Sequence, residues 1–338
     1  MKKALIIVFV FLCANVHAQS FRAYAGEFLQ LGVGARSLAL GGTGIAYIDD
    51  AGSGYWNPAG LSDINYPSIS GMHEARFDNT VQHDFGAFAA PLGKDFGIGI
   101  TALHIGISNI KDTRSAFIDR NNNGSFDDED YLDYSKVSSF GNYDWGLLFS
   151  LGKKQDSTLS YGATFKLIFR KLDPDNSATG FGFDVGIRYR LLDNLIVAAV
   201  AQDITTTYLT YTSGNKELIA PTLKLGSAYT WDITGTGTHK IMPTIDADIR
   251  FENRGKVAEV AAGPLSADFH FGTEYRFKDI ISLRGGYNDL KMFTLGVGIK
   301  LPKLSVDYAF QSFHGQDQLG NTHRISFSLS IEQAKWKR

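Results

Sequence analysis

Oxygen-bearing side chains alternate along the stretch FIDRNNNGSFDDEDYLD, residues 117–133. Counted from Asp119, they stand at positions 1, 3, 5, 7, 9 and 12 of a calcium-binding loop, and Gly124 at position 6 permits its sharp turn. Asp130 replaces the usual glutamate, and its shorter side chain predicts weaker coordination. The alternative is a solvated acidic loop in which Asp and Asn residues only form turns. The predicted calcium ligands are Asp119, Asn121, Asn123, Ser125, Asp127 and Asp130.

Three histidines lie among serines and aspartates, a combination that also occurs in hydrolytic sites. They are His73, His83 and His104. None of them has the spacing of a recognisable catalytic triad, although such triads are defined by geometry and not by chain order. We therefore expect no catalytic residues, no enzymatic activity and no cofactor other than the calcium ion.

The N-terminal stretch MKKALIIVFVFLCANVHAQS has the pattern of a secretory signal peptide. Lys2 and Lys3 precede an apolar run, and small residues follow it, so cleavage is predicted after Ala18. The run is too short for a membrane-spanning helix. Cys13, the only cysteine, lies inside this stretch, and the exported chain must be stable without disulfides.

The composition of the 338 residues narrows the class of protein. Lys and Arg number 33 against 35 Asp and Glu, a balance that gives no support to nucleic-acid binding. After the signal peptide no apolar run has the length of a membrane helix. The chain nevertheless has 36 Gly, 24 Phe, 15 Tyr and 4 Trp. An exported, cysteine-free chain of this kind is predicted to be β-structure in a membrane.

Side chains alternate between apolar and polar along many segments of about ten residues. In FGFDVGIRYRL, Phe183 and Val185 share one face, and Asp184 and Arg188 share the other. Strands of this length and period are typical of transmembrane barrels. The charges on the polar face either line a pore or pair across strands and hold an inner segment. The predicted luminal charges are Asp184, Arg188, Asp246, Asp248, Arg250, Glu274, Arg276 and Arg284.

Fourteen such segments lie between residues 64 and 331, which predicts an antiparallel barrel of about 14 strands. The connections alternate between short and long, as expected for periplasmic turns and outer loops. The predicted outer loops are residues 109–141, 205–219, 252–266 and 314–321. The calcium-like stretch falls in the longest of them, so the predicted ion is a structural clamp for an outer loop. Millimolar affinity would suffice outside the cell.

Residues 25–61 differ from the barrel segments, because glycines are packed there between apolar and small residues. Glycine permits tight turns and close backbone approach, so this segment is predicted to form a plug inside the lumen. Pro58 lacks a backbone donor and holds Asn57 extended. Asn57 and Pro58 are therefore predicted to form the junction between plug and barrel.

The stretch GEFLQLGVGARSLALGGTGIAYIDDAGSGYWNPAGL resembles the N-terminal signature of the PorV/PorQ family of outer-membrane proteins, within the wider FadL-like group. The resemblance implies a fourteen-stranded barrel with an N-terminal plug. It also implies one of two functions. PorV-type members of the type IX secretion system bind the C-terminal signal of exported cargo and pass it on. FadL itself moves hydrophobic molecules such as fatty acids.

The sequence thus predicts an all-β outer-membrane protein with four parts. They are a signal peptide (1–18), a plug (19–62), a barrel (63–331) and a periplasmic tail (332–338). The expected function is non-enzymatic binding or shuttling of exported cargo, with FadL-like transport of hydrophobic molecules as the alternative. The expected partners are outer-membrane lipid, cargo C-terminal domains and other secretion-system proteins, and no nucleic acid.

Overall fold

A computed structural model describes residues 27–77, 79–252, 254–255, 258–312, 321–333 and 337. The predicted signal peptide lies outside these ranges, as does most of the predicted tail. None of the helices in the described part of the chain has the length and apolar character that a membrane crossing requires.

The chain forms a closed antiparallel β-barrel of 14 strands, as predicted. Each barrel strand pairs with its neighbours in the sequence, and β1 pairs with β20 to close the cylinder. Closure removes free strand edges, which a membrane cannot accommodate. The strands are β1 (Ser68–Arg76), β2 (Val81–Leu92), β3 (Phe96–Asp112), β4 (Phe117–Ile118), β5 (Tyr131–Leu132), β6 (Ser138–Lys154), β7 (Leu159–Lys171), β8 (Ser177–Leu192), β9 (Leu195–Gln202), β10 (Thr207–Tyr211), β11 (Lys216–Ile219), β12 (Thr222–Tyr229), β13 (Trp231–Asp232), β14 (His239–Arg250), β15 (Val260–Ala262), β16 (Leu265–Phe277), β17 (Ile281–Tyr287), β18 (Phe293–Lys300), β19 (Leu304–Gln311) and β20 (Thr322–Ser330).

Two barrel strands are interrupted, which the sequence did not predict. The seventh consists of β9 and β10, and the eighth consists of β11, β12 and the short β13, which continues the pairing of β12 with β14. Between β9 and β10 the backbone turns through Asp203 and Thr206, which have φ angles of 53° and 62°. The predicted outer loop 205–219 was therefore wrong, because β10 and β11 pair there as a hairpin. Alternating Thr, Tyr and Leu in TYLTY suit a strand.

The two faces of each strand have opposite character. Phe183 is 40% exposed and Val185 is 43% exposed, whereas Asp184 between them is 4% exposed. Apolar side chains therefore point away from the barrel and charged ones point into it. This is the inverse of a soluble protein and is typical of a barrel surrounded by lipid.

Residues 27–64, called the plug below, lie inside the barrel as short helical turns joined by glycine-rich bends. These turns are Glu27–Gln30, Ala35–Ala39, Ser53–Trp56 and Pro58–Asp63. Leu40, Ile45, Trp56 and Leu61 are buried in a cluster that also includes inward-facing residues of the wall. The strand β1 begins at Ser68, directly after Pro67, and not at residue 64 as the alternation suggested.

Candidate functional site

Two of the surfaces through which the plug contacts the wall differ in character. The first, called the glycine seat, consists of the inward-facing Gly97, Gly152, Gly162 and Gly186 on β3, β6, β7 and β8, against plug residues 57–61. A methyl group on Gly97 would overlap the carbonyl oxygen of Leu61, and one on Gly152 would overlap that of Pro58. The wall and the plug backbone touch directly at this seat, which only glycine allows.

The predicted junction residues lie at the edge of the glycine seat. Asn57 is extended, with φ of −158°, and Pro58 begins the last helical turn of the plug. The Asn57 side chain accepts a hydrogen bond from the Ala59 amide at 3.0 Å and so caps that turn. Its Nδ2 donates to the carbonyl oxygens of Ile45 at 3.1 Å and Ile187 at 3.2 Å. One buried side chain thereby joins two parts of the plug to the wall.

The second surface, called the ionic seat, is centred on Glu274 of β16, whose side chain is fully buried. Arg36 of the plug donates to both of its carboxylate oxygens, at 2.9 and 2.8 Å. Arg284 of β17 donates to it at 2.6 Å, and Arg276 lies 3.1 Å away. Arg284 also reaches Asp307 of β19 at 2.6 Å. Desolvated charges of this kind depend on their partners.

Other predicted luminal charges also hold the plug. Asp246 accepts hydrogen bonds from the backbone amides of Gly44 at 2.7 Å and Ile45 at 3.1 Å. Arg250 donates to the side chain of Gln30 at 2.7 Å. Arg188 lies 3.5 Å from the carboxylate of Asp63. Four of the eight predicted charges, counting Glu274, therefore contact the plug.

The remaining predicted charges form ion pairs within the wall, three of them between strands and Arg276 with Glu274 of its own strand. Asp184 lies 2.7 Å from Lys166, which also contacts Asp203 beside the interruption of the seventh strand. Asp248 accepts a hydrogen bond from Lys224 at 2.8 Å. All eight side chains thus have ionic or hydrogen-bonding partners inside the barrel. This arrangement corresponds to the ion-pairing alternative more closely than to an open row of charges along a pore.

A further ionic cluster was missed by the sequence interpretation. Glu74 of β1 is fully buried and lies 2.6 Å from Arg324 of β20, 2.9 Å from Arg76 and 2.9 Å from His83. It therefore joins the first and last strands where the barrel closes. The available signal was the position of Glu74 and Arg324 on the polar faces of their strands.

The three histidines do not converge on one centre. His83 points inward to Glu74. His73 and His104 lie on the opposite face of the wall, where both contact Asp84, at 2.7 and 3.4 Å. The hydrogen bonds of these three histidines link neighbouring strands. Among the described residues, none of these bonds involves a serine hydroxyl.

The predicted calcium ligands lie together in the loop that contains the β4–β5 hairpin. Asp119 accepts the amides of Asn123 at 3.2 Å and Gly124 at 2.8 Å. Asp127 accepts the side-chain amides of Asn121 at 2.8 Å and Asn123 at 2.7 Å. Three hydrogen bonds lower the pKa of the Asp127 carboxyl. The one from the Glu129 amide has the largest effect, and those from the two asparagine side chains come next.

Asp130 caps the same loop by accepting the amides of Arg120 at 2.9 Å and Asp127 at 3.0 Å. In the described residues, no group of three or more His, Cys, Asp or Glu side chains is arranged to hold a metal ion. The donor set of carboxylates and amide oxygens suits calcium, but its oxygens are engaged within the loop. Calcium binding here, including the role of Ser125, stays a prediction.

The fold is similar to that of solved transport proteins. The Ralstonia pickettii toluene transporter TbuX is 15% identical, with a TM-score of 0.56 over 89% of this chain and 99% of that one. The Pseudomonas putida toluene transporter TodX is 14% identical, with a TM-score of 0.55 over 88% and 97%. A Pseudomonas aeruginosa FadL homologue is 11% identical, with a TM-score of 0.52 over 89% and 98%. At these identities the similarity concerns the fold alone.

The family comparison is more specific. The profile of a family described as "Type IX secretion system membrane protein PorP/SprF" matches residues 75–329. The match begins in β1 and extends almost to the end of β20, so it covers the barrel. No curated protein matches the chain significantly. The expected link to type IX secretion is confirmed, whereas assignment to PorV/PorQ stays a prediction.

Proposed function

Because the chain belongs to the PorP/SprF family of type IX secretion system membrane proteins, we propose that it is a non-enzymatic component of such a system. Its barrel lies in the outer membrane. There it binds other secretion-system proteins and exported cargo. The resemblance of residues 25–61 to PorV/PorQ proteins supports a cargo-shuttling role within the system.

The observation that carries this proposal is the family match across a barrel whose lumen contains a firmly bonded plug. The plug meets the wall backbone to backbone at the glycine seat, and Arg36 bonds the buried Glu274 at the ionic seat. Moving the plug would separate buried charges, which is costly. A rigid, filled barrel suits a protein that presents binding surfaces, because its shape does not depend on a passing solute.

Transport of hydrophobic molecules is the second candidate, and one feature favours it. The seventh strand is interrupted at residues 203–206, beside an internal cavity of about 10 Å³. Leu29, Tyr55 and Leu148 line part of this cavity. A passage there would require Lys166 to part from Asp203. This volume holds about one water molecule. Transport of a hydrophobic molecule through it would therefore require a substantial rearrangement of the plug and the wall.

Deletion of the gene tests the two functions against each other. A secretion component should leave cargo in the periplasm with uncleaved C-terminal signals when it is absent, and uptake of radiolabelled fatty acid or toluene should be unchanged. Complementation with the wild-type gene should restore secretion. Normal secretion together with reduced uptake would overturn the proposal in favour of transport. Co-purification of the solubilised barrel with secretion-system proteins provides an independent check.

A further inference from the structure

A narrow cleft with an excess of positive charge lies at the short-turn end of the barrel, inside the wall. Lys154 of β6, Ser160 of β7 and Arg188 of β8 stand side by side across three paired strands. Arg190 lies two residues beyond Arg188 and lines the same cleft. By the loop-length rule, this end of the barrel faces the periplasm.

One carboxylate of the protein itself already occupies this cleft. Asp63, at the end of the plug, accepts a hydrogen bond from Lys154 at 3.0 Å and lies 3.5 Å from Arg188. Arg190 is exposed, and its side chain makes no hydrogen bond or ion pair with any residue in the described part of the chain. Two cations therefore share one acid, the third, Arg190, has no acidic partner, and Ser160 adds a hydroxyl group.

From this geometry we propose that the cleft binds a carboxylate of an acidic peptide segment that arrives from the periplasm. Arg190 makes the first contact, and the peptide carboxylate then replaces Asp63 between Lys154 and Arg188. Guanidinium groups bind carboxylates through strong charge-assisted hydrogen bonds. The inference rests on the proposed function, because a secretion component must meet its protein partners at the periplasmic end.

The position of the cleft distinguishes a peptide from a membrane lipid. Lys154, Ser160 and Arg188 all point to the inside of the wall, where Arg188 also approaches the plug carbonyl of Ile48. Lipid headgroups surround the outside of the barrel. A lipid phosphate would have to leave the bilayer to reach the cleft, whereas a peptide in the periplasm would enter by the open mouth.

Because the cleft is small, binding of the peptide requires the end of the plug to move. The cleft encloses only about 10 Å³, the space of about one water molecule. A carboxylate therefore enters only where Asp63 withdraws. Asp63 is the last residue of the turn that packs on the glycine seat, so the incoming peptide loosens the end of the plug while the glycine contacts hold the rest.

Fluorescence anisotropy of the full-length protein in detergent tests the proposal. The probe is a fluorescein-labelled poly-glutamate peptide, and a poly-glutamine peptide of the same length is the control. Arg190→Gln should weaken binding about tenfold, the effect of one charged hydrogen bond, and Arg190→Lys should weaken it less. Asp63→Asn should tighten binding about tenfold, because the competing carboxylate is gone.

A matched control is Lys278→Gln, because Lys278 is exposed in a turn between β16 and β17, away from the cleft. This variant should bind like the wild type. Equal weakening by Lys278→Gln, or no tightening by Asp63→Asn, would overturn the proposal. Unlabelled poly-glutamate should displace the probe, whereas displacement at lower concentrations by inorganic phosphate or by anionic vesicles would assign the cleft to phosphate and overturn the proposal. Because the assay contains no secretion step, its failure leaves the proposed function standing.

Discussion

The glycine seat and the ionic seat hold the same plug by opposite means. At the glycine seat, side chains are absent on four adjacent strands, and the Pro58–Asp63 turn lies directly on the wall. At the ionic seat, Arg36 extends from the plug to a buried carboxylate 238 residues away in the chain. The first contact depends on shape and the second on charge.

The two seats differ in how they respond to substitution. A close backbone contact has no alternative partner, because any added atom overlaps the plug. A buried ion pair returns little net stability over an apolar pair, yet it becomes a large defect when one partner is lost. We infer that the glycine seat sets the position of the plug, whereas the ionic seat makes its displacement costly.

The largest expected effect comes from removing the centre of the ionic seat. Glu274→Ala leaves Arg36, Arg276 and Arg284 close together without their shared carboxylate. Loss of one partner of a buried ion pair costs about 3–5 kcal/mol, and we expect a decrease of this size in the free energy of unfolding. Urea titration of the refolded protein in micelles, followed by tryptophan fluorescence, measures it.

Glu129→Ala is the control for that experiment, because Glu129 is exposed in the loop that contains the predicted calcium ligands. This variant should unfold at the wild-type urea concentration. Equal stability of Glu274→Ala and the wild type would show that the ionic seat contributes nothing, and the comparison between the seats would then fail.

A smaller effect is expected from filling the glycine seat. Gly97→Val places a side chain against the Leu61 carbonyl, and overpacking of this kind costs about 1–3 kcal/mol. Because the plug and not the barrel is displaced, limited proteolysis should cleave residues 57–63 while heat-modifiable gel mobility still shows a folded barrel. Gly86→Ala is the control, since a methyl group there meets no atom within 4 Å. If Gly97→Val resisted the protease as well as Gly86→Ala does, the plug and the wall would be able to accommodate the added side chain.

The barrel could be predicted from the sequence, because the direction of each side chain in a strand follows from its position among its immediate neighbours. Alternation in FGFDVGIRYRL assigns Phe183 outward and Asp184 inward from neighbouring residues alone. The glycine seat could not be predicted from the sequence, because it depends on the strand register that brings Gly97 and Gly186 toward one turn of the plug. The break in the seventh strand had no signal either, since Asp203 and Thr206 adopt positive φ angles without glycine. Likewise, Glu274 was predicted to face inward, but its partner Arg36 was not identified.

Asp246 provides a milder test of charge at the plug. Its carboxylate accepts two plug amides, from Gly44 and Ile45. Asp246→Asn keeps an acceptor oxygen but loses the charge, so we expect a loss of about 1 kcal/mol in the urea titration. Asp246→Ala, which leaves both amides without this acceptor, should cost more. If Asn and Ala variants were equally stable, Asp246 would not hold the plug.

The smallest effect on either seat is expected from calcium, because the predicted ligands lie in the outer loop and touch neither seat. If Asp119, Asp127 and Asp130 bind the ion, it offsets the repulsion among neighbouring carboxylates and orders the loop. A chelator should then expose residues 109–141 to protease, and Asp119→Ala should do the same with no further effect of chelator. The barrel should be unaffected, because its stability lies in the closed ladder of backbone hydrogen bonds. Asp156→Ala, in a turn between β6 and β7, is the control. Identical cleavage of the loop at millimolar calcium and with chelator would leave only the solvated acidic loop, whose internal hydrogen bonds to Asp119 and Asp127 order it without metal.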